Sequence, residues 1–78
     1  MKIEILGSGC MKCAKVYENV KKAAGDLGVD ADIEKVEDMD KIINYGVMMT
    51  PALVIDGKIR ASGRIPNIDE IKKWITGS

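Results

Sequence analysis

The sequence of 78 residues has no histidine and only two cysteines and two prolines. Without histidine, a closed zinc site with four ligands would need carboxylates or a second subunit. The scarcity of proline, with 46% apolar and 31% charged residues, excludes a disordered or fibrous chain. Because so short a chain buries only about 60% of its unfolded surface, we expect one domain, residues 1–78, with a single small core.

An excess of charge of one sign is also missing, since twelve basic residues balance twelve acidic ones. No run of lysine and arginine creates a local positive field, so we expect neither a nucleic acid nor an anionic membrane as partner. No stretch approaches the roughly 18 apolar residues of a membrane span. Residues 1–5 carry a charge at every second position and lack the apolar region of a secretory signal. These absences predict a cytoplasmic protein.

The two cysteines, Cys10 and Cys13, form a C-x-x-C pair. Thiols of the cytosol are kept reduced, and a disulfide there is usually transient and catalytic. A bridge across so short a loop would stabilise the chain by only about 2 kcal/mol, compared with about 3 kcal/mol for a much longer loop. The spacing therefore favours a redox pair over a structural crosslink.

The apolar periodicity predicts the element order β-α-β-α-β-β-α. Alternating patterns predict strands over residues 2–6, 29–33, 52–55 and 58–62, and the last two flank Asp56-Gly57, which is typical of a tight hairpin turn. Helical patterns follow Cys13, Asp38 and Asn67. The second helix is expected to carry its apolar side chains inward: Met39, Ile42 and Ile43.

This order, with a C-x-x-C where the first strand meets the first helix, resembles the minimal thioredoxin-like fold of thioredoxins and glutaredoxins. Residues 45–58 resemble the thioredoxin segment that holds a cis-proline, here Thr50-Pro51, and Gly63 falls where that family has a glycine. The resemblance spans nearly the whole chain and is greatest to the very small redox proteins of archaea and bacteria. It implies an α/β fold with a central four-stranded mixed sheet flanked by helices.

The same resemblance implies a thiol-disulfide oxidoreductase that reacts with protein disulfides through a mixed disulfide. Cys10 is expected to be the nucleophile, since a helix N-terminus and the nearby Lys12 stabilise a thiolate. Cys13, one turn deeper, is expected to resolve the mixed disulfide. No cofactor is expected beyond the Cys10–Cys13 disulfide.

Glu4 stands six residues before Cys10, as does the buried aspartate that thioredoxins use to manage protons beneath their active site. By this resemblance Glu4 is expected to take the proton from Cys13 as that thiol attacks. The alternative is a solvated strand face that Glu4 shares with Lys2.

Substrate binding is expected at Thr50, Pro51 and Met49. A cis bond before Pro51 would set the backbone of Thr50 beside Cys10, where it can pair with an extended substrate. Met48 and Met49 are expected to pack in the core and at its rim, although exposed methionines would suit a docking surface for varied partners.

A soft-metal carrier is the alternative function. Heavy-metal carrier domains also place a C-x-x-C after their first strand, and paired thiolates suit Cu(I), with Met11 as a further ligand. Those domains do not carry a Thr-Pro before an antiparallel hairpin. A redox-inert interaction module would ordinarily lack one of the cysteines, whereas both are present here.

Three departures from the family limit what the resemblance implies. Gly9 replaces a tryptophan of thioredoxins, and Met11-Lys12 matches the inner dipeptide of neither thioredoxins nor glutaredoxins, so the reduction potential cannot be inferred. Residues 62–67 do not resemble the segment with which glutaredoxins hold glutathione. The expected partners are therefore client protein disulfides and a thioredoxin-reductase-like protein or another dithiol reductant, with glutathione disfavoured.

Overall fold

The computed structural model describes residues 1–7 and 11–77. The elements within these residues follow the predicted order: β1 (Lys2–Leu6), α1 (Met11–Leu27), β2 (Asp32–Val36), α2 (Met39–Asn44), β3 (Ala52–Ile55), β4 (Lys58–Ser62) and α3 (Ile68–Thr76). The α/β class is thereby confirmed. None of the helices in the described ranges is long and apolar enough to cross a membrane.

The four strands form one mixed sheet in the order β2-β1-β3-β4. The central strand β1 runs parallel to β2 and antiparallel to β3, and β4 pairs antiparallel with β3. The turn between β3 and β4 has positive φ at both of its central residues, Asp56 and Gly57. Positive φ at both positions is the conformation of the hairpin turn that this dipeptide predicts.

The second strand begins three residues later than its alternation pattern predicts, at Asp32 instead of Val29. Its register is set by β1, because Lys2 pairs with Asp32 and Leu6 pairs with Val36. Val29 and Ala31 instead pack against the core ahead of the strand. The alternation of apolar and polar residues indicates which side chains are half-buried. Where the strand pairing starts depends on the extent of the neighbouring strand.

The two faces of the sheet carry clusters of different size. On what we call the major face, α1 and α3 pack against Ile3, Ile5 and their neighbours. The buried residues of this cluster are Ile3, Ile5, Val16, Val20, Ala23, Ala24, Leu53, Ile55, Ala61, Ile71 and Ile75. On the minor face, which α2 covers, the buried cluster is Leu6, Val36, Ile42, Val47, Ala52 and Val54, with Tyr45 against it.

The two helices of the major face are joined by charge as well as by apolar contact. Asp26 on α1 lies 3.2 Å from the ammonium group of Lys72 on α3 and 3.4 Å from that of Lys22. At the start of α3, Asn67 accepts a hydrogen bond from the Glu70 backbone, and the Glu70 side chain accepts one from the Asn67 backbone. This capping box satisfies backbone groups that a helix end otherwise leaves unpaired.

On α2 the inward placement of Met39 and Ile43 is wrong, since these side chains are 57% and 63% exposed. Ile42 is the apolar residue of this helix that is buried. The helix has only six residues, so it directs little more than one turn of side chains onto the sheet. The Asp38 cap is as predicted, because its carboxylate accepts a hydrogen bond from the Asp40 backbone.

Candidate active site

Cys13 lies in the first turn of α1 and is buried, as its place in the apolar stripe of that helix predicts. The backbone of Gly7, at the end of β1, lies directly against its sulfur: a Cβ added at Gly7 would overlap Cys13 Sγ. The same added Cβ would lie 3.7 Å from Cβ of Thr50. Because Gly7 has no side chain, the end of β1 can lie close to both Cys13 and Thr50.

Cys10 lies outside the described residues, so its role as nucleophile stays a prediction. The described helix begins at the next residue, Met11, and both Met11 and Lys12 are exposed. Lys12 therefore offers an exposed cation in the first turn of α1, where the positive end of the helix dipole also lies.

The Thr50–Pro51 peptide bond is cis in the structure. Pro51 is buried and Thr50 is exposed. Two residues at the end of β4 form hydrogen bonds on either side of this peptide bond. The Gly63 backbone N–H donates to the Pro51 carbonyl at 2.9 Å, and the Ser62 hydroxyl donates to the Met49 carbonyl at 3.0 Å. The segment is therefore held by hydrogen bonds as well as by burial of its proline.

The conformation of Gly63 explains why a glycine stands there. Its φ is +77°, in the left-handed region that favours glycine, and an added Cβ would lie only 3.0 Å from Cβ of Met49. The backbone conformation and the space beside Met49 thus both disfavour a larger residue at this position.

Three exposed methionines, Met11, Met48 and Met49, stand on the segments that flank Cys13 and Pro51, and we call them the methionine rim. Their side chains are 90%, 96% and 63% exposed. Packing of Met48 and Met49 in the core is therefore wrong, and the docking alternative fits their exposure. Flexible thioether side chains adapt to varied apolar surfaces.

Glu4 is 9% exposed, so the solvated-face alternative is wrong. The Tyr45 hydroxyl donates a hydrogen bond to Oε1 of Glu4 at 2.5 Å. Alternation along β1 sends Glu4 to the minor face, whereas the Gly7 position that contacts Cys13 faces α1. The structure therefore brings Cys13, Gly7 and Thr50 together and directs the Glu4 carboxylate towards Tyr45.

Sequence reasoning missed Tyr45, which lies 41 residues from Glu4 at the C-terminal end of α2. Its hydrogen bond to Glu4 raises the pKa of the Tyr45 phenol above its ordinary value of 10.0, and burial and the charges of Glu4 and Glu34 act in the same direction. No local pattern links residues so far apart, so the fold was needed to find this pair.

A shallow pocket of about 330 Å³ opens to solvent beside the pair, lined by Glu4, Lys41, Asn44 and Tyr45. It gives water a way to approach a carboxylate that is otherwise buried. Within the described ranges, no three or more cysteine, aspartate or glutamate side chains are grouped so as to hold a metal ion. The soft-metal alternative depends on Cys10 and stays a prediction.

The sheet, the three helices and the Cys13 site at the end of β1 define a thioredoxin-like protein, and comparison with known proteins agrees. The family model described as a thioredoxin domain matches residues 1–76. A thioredoxin of Methanothermobacter thermautotrophicus is 41% identical over 76 residues, which is 97% of this chain and 99% of the relative. A thioredoxin of Methanocaldococcus jannaschii is 48% identical over 71 residues, or 91% of this chain and 81% of the relative. The chain belongs to the thioredoxin family and is a disulfide oxidoreductase.

Proposed function

We propose that the protein reduces protein disulfides with the Cys10–Cys13 dithiol through a mixed disulfide. The observation that supports this most strongly is the contact of buried Cys13 with Gly7 beside Thr50, because Cys13, the thiol that we propose to resolve, is then close to the segment expected to bind the client. Sulfur exchange needs both thiols and the client at one point, and the closeness of Cys13 to Thr50 supports this for the thiol proposed to resolve.

The exchange proceeds in two steps. The Cys10 thiolate attacks one sulfur of the client disulfide, forming a mixed disulfide and releasing the other client sulfur as a thiolate. Cys13 then loses its proton and attacks the Cys10 sulfur, so that the Cys10–Cys13 bond forms and the second client thiolate leaves. The client gains two electrons and the dithiol loses two, and water protonates the released thiolates.

The client is proposed to lie along the exposed backbone of Thr50 as an extended segment, with apolar side chains on the methionine rim. Backbone pairing of this kind is insensitive to client sequence, and adaptable methionines add apolar contact without a fixed shape. Both features suit a reductant of several proteins.

Glu4 is proposed to accept the Cys13 proton during resolution. Gly7 lies three residues beyond Glu4, a distance of about 10 Å at the usual rise of a strand. Since the carboxylate also lies on the minor face, a chain of several water molecules would have to carry the proton around the end of β1. The burial of Glu4 supports this role, because glutamate is rarely buried and ionisable groups in unusual environments cluster at functional sites.

The proposed setting is the cytoplasm, with client protein disulfides as substrates and a thioredoxin-reductase-like protein or another dithiol as the source of electrons. Glutathione is disfavoured because residues 62–67 lack the segment with which glutaredoxins hold it. No cofactor is required, since the Cys10–Cys13 dithiol itself supplies the two electrons that the client gains and is left as the disulfide.

Single cysteine variants test the assignment of roles. Cys13→Ser should trap mixed disulfides with client proteins, whereas Cys10→Ser should trap none and should lose insulin-disulfide reduction. Alkylation of the native dithiol at pH 6 should be faster at Cys10 than at Cys13. Equal rates of alkylation would refute the assignment, and tight Cu(I) binding without reductase activity would favour the carrier function.

The methionine rim is tested by Met48→Ser, with Met39→Ser as a matched control outside the rim. Met39 is also exposed, at 57%, but lies at the start of α2. Loss of one buried thioether contact should raise KM for a protein disulfide about five- to tenfold in Met48→Ser, with kcat unchanged. Equal effects of the two variants would argue against docking on the rim.

A further inference from the structure

The Glu4–Tyr45 hydrogen bond joins the middle of the central strand to the end of the shortest helix. Tyr45 is the C-cap of α2, and its ring packs against the cluster of the minor face. Its hydroxyl donates to Oε1 of Glu4, and Oε2 accepts no hydrogen bond from the described part of the chain. The pair therefore fixes which way the carboxylate is turned.

The charged groups around Glu4 come from three elements. On β2, Glu34 is the register partner of Glu4, and Lys2 on β1 lies 3.6 Å from the Glu34 carboxylate. On α2, Lys41 lines the pocket beside the pair. The partner of Glu4 on β3 is Val54, which carries no charge. Because Glu4 has no ion pair among the described residues and accepts a hydrogen bond from Tyr45, the Tyr45 hydroxyl is the group that orients the Glu4 carboxylate.

We propose that Tyr45 is a positioning residue that holds the Glu4 carboxylate at the mouth of the pocket, so that Glu4 exchanges its proton with water there. This inference rests on the proposed role of Glu4 in resolution. None of the described methionine-rim residues lines the pocket. The proton can therefore leave while a client covers the rim, which is the state in which Cys13 must be deprotonated.

The two steps of exchange can be followed separately with a chromogenic aromatic disulfide as the probe. One equivalent of coloured thiolate is released when Cys10 attacks, and a second is released when Cys13 resolves the mixed disulfide. Tyr45→Phe should leave the first phase unchanged and slow the second about three- to tenfold. Tyr17→Phe, which removes the hydroxyl of the other tyrosine, should change neither phase.

Combination with Glu4→Gln separates positioning from a structural effect. If Tyr45 acts through Glu4, the double variant should resolve no more slowly than Glu4→Gln alone. Additive slowing would overturn the inference, as would a Tyr45→Phe protein that resolves at the unmodified rate while Glu4→Gln is slow. If Glu4→Gln itself resolves at the unmodified rate, the proposed role of Glu4 fails and the inference fails with it.

A titration of the phenol tests the contact without any activity measurement. In the Tyr17→Phe background, Tyr45 is the remaining tyrosine, so the ultraviolet absorbance of phenolate reports on it alone. The hydrogen bond to Glu4 raises the pKa of Tyr45 above 10.0, and Glu4→Gln should bring that pKa back towards 10.0. An identical phenol titration with and without Glu4→Gln would overturn the inference even if Tyr45→Phe failed to fold.

Discussion

The major and minor faces of the sheet differ in what they bury. The major face is covered by α1, of 17 residues, and α3, of nine, and its cluster is entirely apolar. The minor face is covered by the six residues of α2, and Glu4 is buried there among fewer apolar side chains. The difference indicates that the major face supplies most of the stability, whereas the minor face buries a carboxylate under a thinner cover, beside a pocket that opens to solvent.

Truncation of one isoleucine on each face should give the largest difference in stability between the two faces. Ile71→Ala on α3 should lower the free energy of unfolding by about 4 kcal/mol, and Ile42→Ala on α2 by about 2 kcal/mol, because a short surface helix can settle into the space left behind. Urea denaturation measures both values. If Ile71→Ala does not fold, the milder variants Ile71→Val and Ile42→Val can be compared instead. Their free energies of unfolding should fall by about 1 and about 0.5 kcal/mol. Equal losses of stability on the two faces would contradict the larger contribution of the major face.

The end of β1 is where the major face meets the active site, and Gly7→Ala tests how tightly they fit. The added methyl group would overlap Cys13 Sγ, so the variant should lose about 1 to 3 kcal/mol of stability and resolve mixed disulfides more slowly. Gly25→Ala is the matched control, since nothing lies within 4 Å of its added Cβ and alanine favours the helix by up to about 1 kcal/mol. A Gly7→Ala protein with native stability and resolution rate would show that the contact is not required.

The smallest effect is expected from the charges that join the helices of the major face. The hydrogen bond from Lys72 lowers the pKa of Asp26 below its ordinary value of 3.8, and Lys22 adds to this. An acid whose pKa is lowered by folding stabilises the protein above its ordinary pKa and loses that contribution as the pH falls through the folded value.

Asp26→Asn should therefore flatten the decline of stability below about pH 4 and change stability only slightly at pH 7. Thermal melting between pH 2 and 7 measures this. Asp30→Asn serves as the control, because Asp30 has no ion pair in the described part of the chain. If stability declines as steeply with falling pH in Asp26→Asn as in the unmodified protein, the ion pair makes no contribution.

Much of the fold could be predicted from local patterns. Alternation in residues 2–6, the apolar stripe of α1, the Asp56-Gly57 turn and the capping box of α3 all depend on residues close in sequence, and the structure has each of them. The start of β2 and the exposure of Met39 could not be predicted in this way. Both depend on what the neighbouring element covers, which periodicity does not record.

Local periodicity was enough to predict the element order and the place of Cys13 in the first turn of the first helix. The burial of Glu4, its pairing with Tyr45 and the exposure of the methionine rim became known from the packing of the folded chain. A side chain's burial depends on which distant segments pack over it. The strand pattern of residues 2–6 therefore left Glu4 between two opposite environments until the packing of α2 on the minor face settled which one it occupies.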